Sequence, residues 1–255
     1  MTADSEDDLQ ESLTALAGAL TGAQPLTVTL RHVASLAVSA VPGADGAGLT
    51  LLEQSGPDTI VASADFVEEV DAAQYGIGEG PCLLAVATRT TQWSGSLGGE
   101  EDRWPRFGPQ AGRMGVHSAL SVPLLLGERV VGALNIYAHG RDAFDQHSIA
   151  IGEEFSGPAA VTASHALLLE ESRRMTAHLQ KALTSRATID QAIGIVLSRT
   201  GKTPHEAFEV LRRQSQQDHI KLSDVAAQVV EQALARARSG TRSRPRIPGP
   251  VIRGD

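Results

Sequence analysis

In the stretch SRTGKTPHEA, residues 198–207, Gly201-Lys202-Thr203 has the residue types that end a phosphate-binding loop, where successive backbone N–H groups wrap the phosphates of a nucleotide. Such a loop needs its first glycine five positions before the Gly-Lys pair. Position 196 is Val, and Gly194, the nearest glycine upstream, lies too far back within an apolar helical run. The spacing excludes a nucleotide loop and leaves a corner between two helices. Ile189, Ala192, Ile193, Val196 and Leu197 form the stripe of a helix that stops at Gly201, a residue suited to the left-handed closing conformation. Thr203, Pro204 and Glu206 then supply the capping hydroxyl, the first-turn proline and the reciprocal carboxylate of a new helix.

Around that corner Arg186, Arg199, Lys202, Arg212, Arg213, Gln214, Ser215 and Lys221 stand outside the apolar stripes. Lysine and arginine attract phosphate, and a planar guanidinium also stacks on an unpaired base. Gln214 and Ser215 carry groups that hydrogen-bond base edges. Phe208, the one aromatic residue of the region, is spaced with Leu211 as a core residue. Composition does not separate RNA from DNA, because a three-helix unit with a short final turn also places a recognition helix in a major groove.

The first half of the chain offers weaker chemistry. Cys82, the only cysteine, follows Gly80-Pro81 at an expected helix start, where the helix dipole favours a thiolate and hence redox or covalent sensing. Beside Leu83 and Leu84 it reads instead as a small buried hydrophobe, the commoner case and the favoured reading. His117 is a residue type that ligates haem or metal, but no second ligand stands at a recognisable spacing, which favours a structural role. Trp93 and Trp104 either line a pocket or fill a core. A single cysteine excludes intramolecular disulfides and cysteine-rich zinc sites. No serine lies in a Gly-x-Ser-x-Gly elbow, and Glu100-Glu101-Asp102 sits in a glycine-rich loop as solvated surface, with a metal contact as the less favoured alternative. No paired acidic residues at a strand end mark a phosphorylation site, and neither a catalytic set nor a cofactor is indicated.

The elements that must position these residues are set by periodicity. Residues 9–41 read as one or two helices, with Leu30, Val33, Ala34, Ala37 and Val38 at helical spacing. Residues 46–53 and 58–63 read as strands around a Ser55-Gly56-Pro57 turn. Two apolar arms in 118–137 flank Gly127-Glu128, which suits a tight hairpin turn of the II′ type. From Asp145 to about Arg199 the pattern is helical, followed by helices from about 204 to 217 and 222 to 235. Val161, Leu168, Met175, Ala182, Ile189 and Val196 recur every seven residues, one seam of a coiled coil; His165, Ser172 and Arg186 interrupt the second seam. Dimerisation is the favoured use of that ladder, with packing against its own domain as the alternative.

At 255 residues the chain has room for two domains, and its charge divides with them. Residues 173–255 carry 15 Lys/Arg against 7 Asp/Glu, a net +8, whereas residues 1–172 carry 7 against 23, a net −16. An acidic domain joined to a basic one that meets a polyanion is the reading this supports. The acidic opening MTADSEDDLQ is unlike a signal peptide, and no stretch approaches the roughly 20 apolar residues that span a bilayer, so a cytoplasmic protein is expected.

Residues 185–231, with Arg186, Ala192, Gly194, Gly201, Ala207, Leu211, Arg212, Ser215, Leu222 and Val225-Ala226 in place over more than forty positions, resemble an ANTAR domain, the RNA-binding antitermination module of bacterial regulators. Ile193 stands where many members carry lysine. The resemblance implies a dimer that binds paired RNA hairpin loops and so prevents a terminator from forming. GEGPCLLAV (78–86) and residues 102–138 resemble a GAF sensor domain, and the whole is similar to actinobacterial chains that join the two. That likeness implies an antiparallel sheet flanked by helices with a small-molecule pocket. Some GAF-fold enzymes reduce methionine sulfoxide with more than one cysteine; this chain has one.

The expectation is an α+β chain: an acidic helical segment over 1–24, a GAF domain over 25–165, a coiled-coil helix over 157–199, an ANTAR unit over 180–236 and a disordered basic tail over 237–255. Its expected action is to bind RNA hairpins and control termination in response to a small molecule or other signal at the GAF domain. A DNA-binding transcription factor is the alternative.

Overall fold

Leu30, Val33, Ala34 and Ala37 are all fully buried on one stripe of a helix, and that stripe is what the central sheet packs against. The computed structural model describes residues 3–19, 24–53, 56–99 and 103–240. It divides into two compact units, 1–172 and 173–255.

In the first unit the elements run α1 (Ala3–Ala19), α2 (Leu26–Ala40), β1 (Gly46–Glu53), β2 (Gly56–Ala62), α3 (Asp65–Ile77), α4 (Pro81–Thr88), β3 (Gln92–Ser94), α5 (Phe107–Arg113), β4 (Ser118–Leu126) and β5 (Arg129–Ala138). The strands form one antiparallel sheet in the order β2-β1-β5-β4-β3. Successive strand residues face opposite sides. Leu49, Leu51, Leu120, Leu124, Leu134 and Ile136 enter the core beneath α1, α2 and the following long helix, which contributes Phe155, Ala159 and Ala163. Ala119 and Tyr137 turn to the other face, where Val67, Val70, Trp104 and Phe107 complete a second core. Burial on both faces explains why 118–137 reads as nearly continuous apolar residues instead of alternating ones. Gly127 takes φ +59 while Glu128 stays at negative φ, as a II′ turn requires.

Several local expectations are corrected. Of the two readings of 9–41 the structure shows two helices; Gly56 and Pro57, expected in a turn, belong instead to β2, paired with Glu53 and Leu52, and 54–55 lie outside the described residues. Glu100-Glu101-Asp102 also lies outside them. The long helix α6 spans Gln146–Thr200 and carries Pro158 in its interior. Proline there removes one helical hydrogen bond, but Phe155, Ala159 and Ala160 around it are buried, and their packing keeps the helix continuous.

In the second unit the C-terminal part of α6 is followed by α7 (Pro204–Asp218) and α8 (Leu222–Gly240). Ala192, Leu211, Val225 and Ala226 form the core, with Ile189, Ile193, Val196, Leu222, Val229 and Val230 packed against it. The expected tail from 237 begins inside α8, and residues 241–255 lie outside the described residues.

The corner at 201–206 is built as its residues require. Gly201 adopts φ +66. Thr203 Oγ1 accepts from Glu206 N, and the Glu206 carboxylate accepts from Thr203 N at 2.8 Å, a complete capping box. Those backbone and hydroxyl hydrogen bonds from Thr203 also hold the Glu206 carboxyl below the usual carboxylate range. Thr203→Ala is expected to lower the stability of the three-helix unit by about 1 kcal/mol. Thermal melts monitored by far-ultraviolet circular dichroism measure it, and Thr203→Ser is expected to restore most of the loss.

Candidate functional site

The eight polar residues expected to meet nucleic acid do not form one patch. Arg186 and Arg199 are both exposed on α6, yet at 3.6 residues per turn they point about 140° apart. Arg212 turns toward Glu209, which accepts from its guanidinium at 2.7 and 3.1 Å, and this pairing lowers the Glu209 carboxyl and raises Arg212. Arg213, adjacent in sequence, lies about 100° further round α7. Lys221 is exposed where its carbonyl receives the first amides of α8.

Ser215 is a correction. Its hydroxyl donates to Ile220 O at 2.6 Å while its carbonyl accepts from the His219 and Ile220 amides, so it closes the α7–α8 turn and is not offered to base edges.

Lys202, Arg213 and Gln214 are brought together. With Val210, Gln217 and Asp218 they line a surface groove of about 520 Å³. Val210, Arg213, Gln214, Gln217 and Asp218 recur at helical spacing on a broad band of α7 that adjoins the stripe of buried Ala207 and Leu211. The groove therefore presents two cations, two amides, a carboxylate and one aliphatic wall. Phosphates, base edges and a base face match that set. Sequence reasoning missed Gln217 and Asp218, although their spacing from Arg213 and Gln214 was the available signal.

The sensor-side candidates are placed differently from one another. Trp104 is 2% exposed and packs in the second core beneath the Arg103 guanidinium, 4.5 Å from its ring. Trp93 is 42% exposed at the sheet edge and lines no core; its carbonyl accepts from Arg103. The His117 ring meets Leu97 O at 3.0 Å, and among the described residues no three His, Cys, Asp or Glu side chains converge as a metal site.

Cys82 is buried at the start of α4, and the thiolate reading is overturned. Burial, then the nearby Asp71, pushes its thiol up to about 11. The dipole of an eight-residue helix does not offset that desolvation.

Cys82 instead edges a buried polar cluster between α3 and the sheet. Asp71 Oδ1 accepts from Tyr137 Oη at 2.5 Å, Asn135 Nδ2 at 2.9 Å and Gln74 Nε2 at 3.3 Å. Gln74 Oε1 accepts from Cys82 N at 2.9 Å, and Ser121 Oγ donates to Asn135 Oδ1 at 2.9 Å. Tyr75 Oη donates to Thr50 Oγ1 at 2.7 Å and lies 3.2 Å from Cys82 Sγ. Asp71 Oδ2 is buried without a partner, and a methyl group on Gly48 would stand 2.6 Å from it. Burial raises the Asp71 carboxyl to about 7, with the three donors holding it down from a higher value. The same burial raises Tyr75 and Tyr137 well above an ordinary phenol. Asn135, polar in the middle of an apolar strand, was the sequence signal for this cluster, and it went unread.

The two units match two different families. A GAF domain model matches residues 23–162, more than half of the chain, and an ANTAR domain model matches residues 177–230. No curated protein matches. Among solved structures the chain is similar to the GAF domain of an Acinetobacter phosphoenolpyruvate-protein phosphotransferase, at 13% identity over 67% of this chain and 99% of that one, with a TM-score of 0.46. The GAF domain of the corresponding Coxiella burnetii protein is 16% identical over 66% and 98% of the two chains, with a TM-score of 0.46. A free methionine-R-sulfoxide reductase from Neisseria meningitidis in complex with its substrate is 17% identical over 63% and 90%, with a TM-score of 0.45. No helix among the described residues is long and apolar enough to cross a membrane.

Proposed function

We propose, for a chain that belongs to the GAF-domain family and carries an ANTAR domain behind it, the function of a cytoplasmic homodimer that binds paired RNA hairpin loops. Binding controls transcription termination and answers to a signal at the GAF domain. The observation that supports RNA most directly is the α7 groove: cations at Lys202 and Arg213, unengaged amides at Gln214 and Gln217, and an aliphatic wall at Val210. Phosphate contacts give affinity there, and the amides give a means of reading unpaired bases. A DNA-binding regulator would use the same cations, but no observation in the groove favours a duplex over a loop.

The chain acts without catalysis in this reading. Its one cysteine is buried with its thiol raised to about 11, the opposite of an activated nucleophile.

The test separates the two arginines. Lys202→Ala with Arg213→Ala is expected to weaken binding of a two-hairpin RNA by about 10- to 100-fold at moderate salt, and to reduce the slope of log affinity against log salt by roughly 1.4–1.8. Arg212→Ala is expected to cost less than about threefold, because Glu209 already pairs that guanidinium. Fluorescence anisotropy across a salt series, with duplex DNA as competitor, reads all three. A loss with Arg212→Ala as large as that of the Lys202→Ala, Arg213→Ala double variant would remove the groove as the site, and preferential binding of the duplex would replace RNA with DNA.

A further inference from the structure

Apolar packing closes most of the first unit, but the hold of α3 on the sheet passes through an acid. We infer that α3 and the start of α4 form a proton-controlled latch, which lifts from the sheet as Asp71 gives up its proton to water. The inference concerns the first unit alone and goes beyond the RNA reading, which it does not require.

Asp71 is the one carboxylate buried among the described residues, at 0% exposure. Three donors reach its Oδ1, whereas Oδ2 has none. There β1 closes on the carboxyl through Gly48, on which a Cβ would stand 2.6 Å from Oδ2. A proton removes the charge that this place does not solvate. Once the proton has gone, Oδ2 gains water only by the departure of α3 from β1. Among the described residues no cation pairs with Asp71 to hold the anion in place. From the elements packed on α3, the titratable groups that face it are Tyr137 of β5 and Cys82 of α4, with Tyr75 on α3 itself. Burial raises both phenols well above their ordinary value and the thiol to about 11, so all three stay neutral near pH 7. On the same side β2 and α5 bring apolar Ala62, Phe107 and Ala111, and the other acids of α3, Asp65, Glu68 and Glu69, are exposed. Asp71, raised by burial to about 7, is the group of this cluster whose charge changes near neutrality.

The same acid reaches α4 through Gln74. Gln74 Nε2 donates to Asp71 Oδ1 at 3.3 Å and to Tyr137 Oη at 2.6 Å, and its Oε1 accepts from Cys82 N in the first turn of α4 at 2.9 Å. A side chain on Gly80 would overlap that amide, so the Gln74 side chain lies directly against the backbone that leads into α4. When α3 lifts, α4 loses the acceptor of its first-turn amide. The opposite face of the sheet is closed by the apolar core under α1, α2 and α6, whose packing does not depend on a proton. Opening therefore takes α3 and α4 away from a sheet that remains folded, a sub-global event.

Hydrogen exchange of the full chain, followed by mass spectrometry from pH 5 to pH 8 and corrected for base catalysis of the chemical step, reads the latch. Exposure to water returns Asp71 to an ordinary carboxyl of about 3.9, so each opening between pH 5 and pH 7 releases a proton. The opening constant of α3 and α4 is expected to rise about 80-fold from pH 5 to pH 8 and to level off above about pH 7. Those helices should stay less protected than β4 and β5 throughout. Asp71→Asn is expected to remove the pH dependence. Tyr137→Phe takes away a donor that favours the anion, so its plateau should move to higher pH. Exchange in α3 and α4 that ignores pH, or a rise that survives Asp71→Asn, overturns the control by this proton. Protection equal to that of β4 and β5 at every pH overturns the latch, because α3 would then open only with the whole unit.

Discussion

Asp71→Asn is expected to stabilise the sensor domain above neutral pH and to leave it unchanged near pH 4, whereas Asp71→Leu is expected to unfold it. The carboxyl is raised to about 7 by burial, against about 3.9 in an unfolded chain. A raised acid binds its proton more tightly in the folded state, so its contribution to stability is complete below pH 4. That contribution is lost progressively as the pH climbs to 7 and is flat beyond. The loss is on the order of 4 kcal/mol, from a shift of about three pH units at 1.36 kcal/mol each. An amide at position 71 keeps an oxygen for Tyr137, Asn135 and Gln74 and has no charge to desolvate. The difference in unfolding free energy between variant and parent should therefore grow from near zero at pH 4, where the protonated parent carries an O–H at the same unpartnered place as the new N–H₂, to about 4 kcal/mol at pH 8. Leucine removes the acceptor from Tyr137 Oη and Asn135 Nδ2, each costing about 1–3 kcal/mol, while Gln74 Nε2 keeps Tyr137 Oη; that loss is a large share of the stability of a domain. Urea melts at a series of pH values decide the matter. A difference that is constant from pH 4 to pH 8 would mean that the Asp71 carboxyl does not titrate in this range.

How legible each feature was in the sequence depends on the separation of the residues that make it. The α2 stripe, the β4–β5 hairpin and the Gly201–Glu206 corner each depend on residues within one turn or one tight reversal, and each was readable from spacing. From Pro81 to Arg113 the helices α4 and α5 run only eight and seven residues and β3 only three, too brief for periodicity to show, whereas the 13-residue α3 carries Val67, Val70, Ala73 and Gln74 at helical spacing. The Asp71 cluster joins α3 to β5 across more than sixty residues, so no local pattern assembles it; only the polar Asn135 inside an apolar strand marks its place. On α7 the residue types were visible but the helix phase decided their use. Arg212 and Arg213 are neighbours in sequence, yet one pairs with Glu209 and the other lines the groove with Asp218. Ser215 had the chemistry to meet a base and was taken by the turn.

The heptad ladder splits in the same manner, and its exposed part carries the second large prediction. Ile189 and Val196 pack into the three-helix core, but Val161, Leu168 and Met175 stay 48%, 62% and 62% exposed. Leu179 and Leu183, at 58% and 69%, extend the same side of α6. At 100° per residue these five fall within a stripe about 80° wide, the width of a coiled-coil seam. Covering it with the same stripe of a second copy would bury every one of these side chains. Leu168→Glu with Met175→Glu is therefore expected to convert a dimer to a monomer in sedimentation equilibrium. Each protomer should keep its melting behaviour, since neither side chain is buried in it. Two linked hairpins engage a dimer at high effective concentration, so affinity for a two-hairpin RNA should fall by about 100-fold or more. Affinity for a single hairpin should not change, because no groove residue has been altered. A parent protein that sediments as a monomer, or a double variant that retains the advantage of two hairpins over one, would leave the α6 stripe without the role given to it.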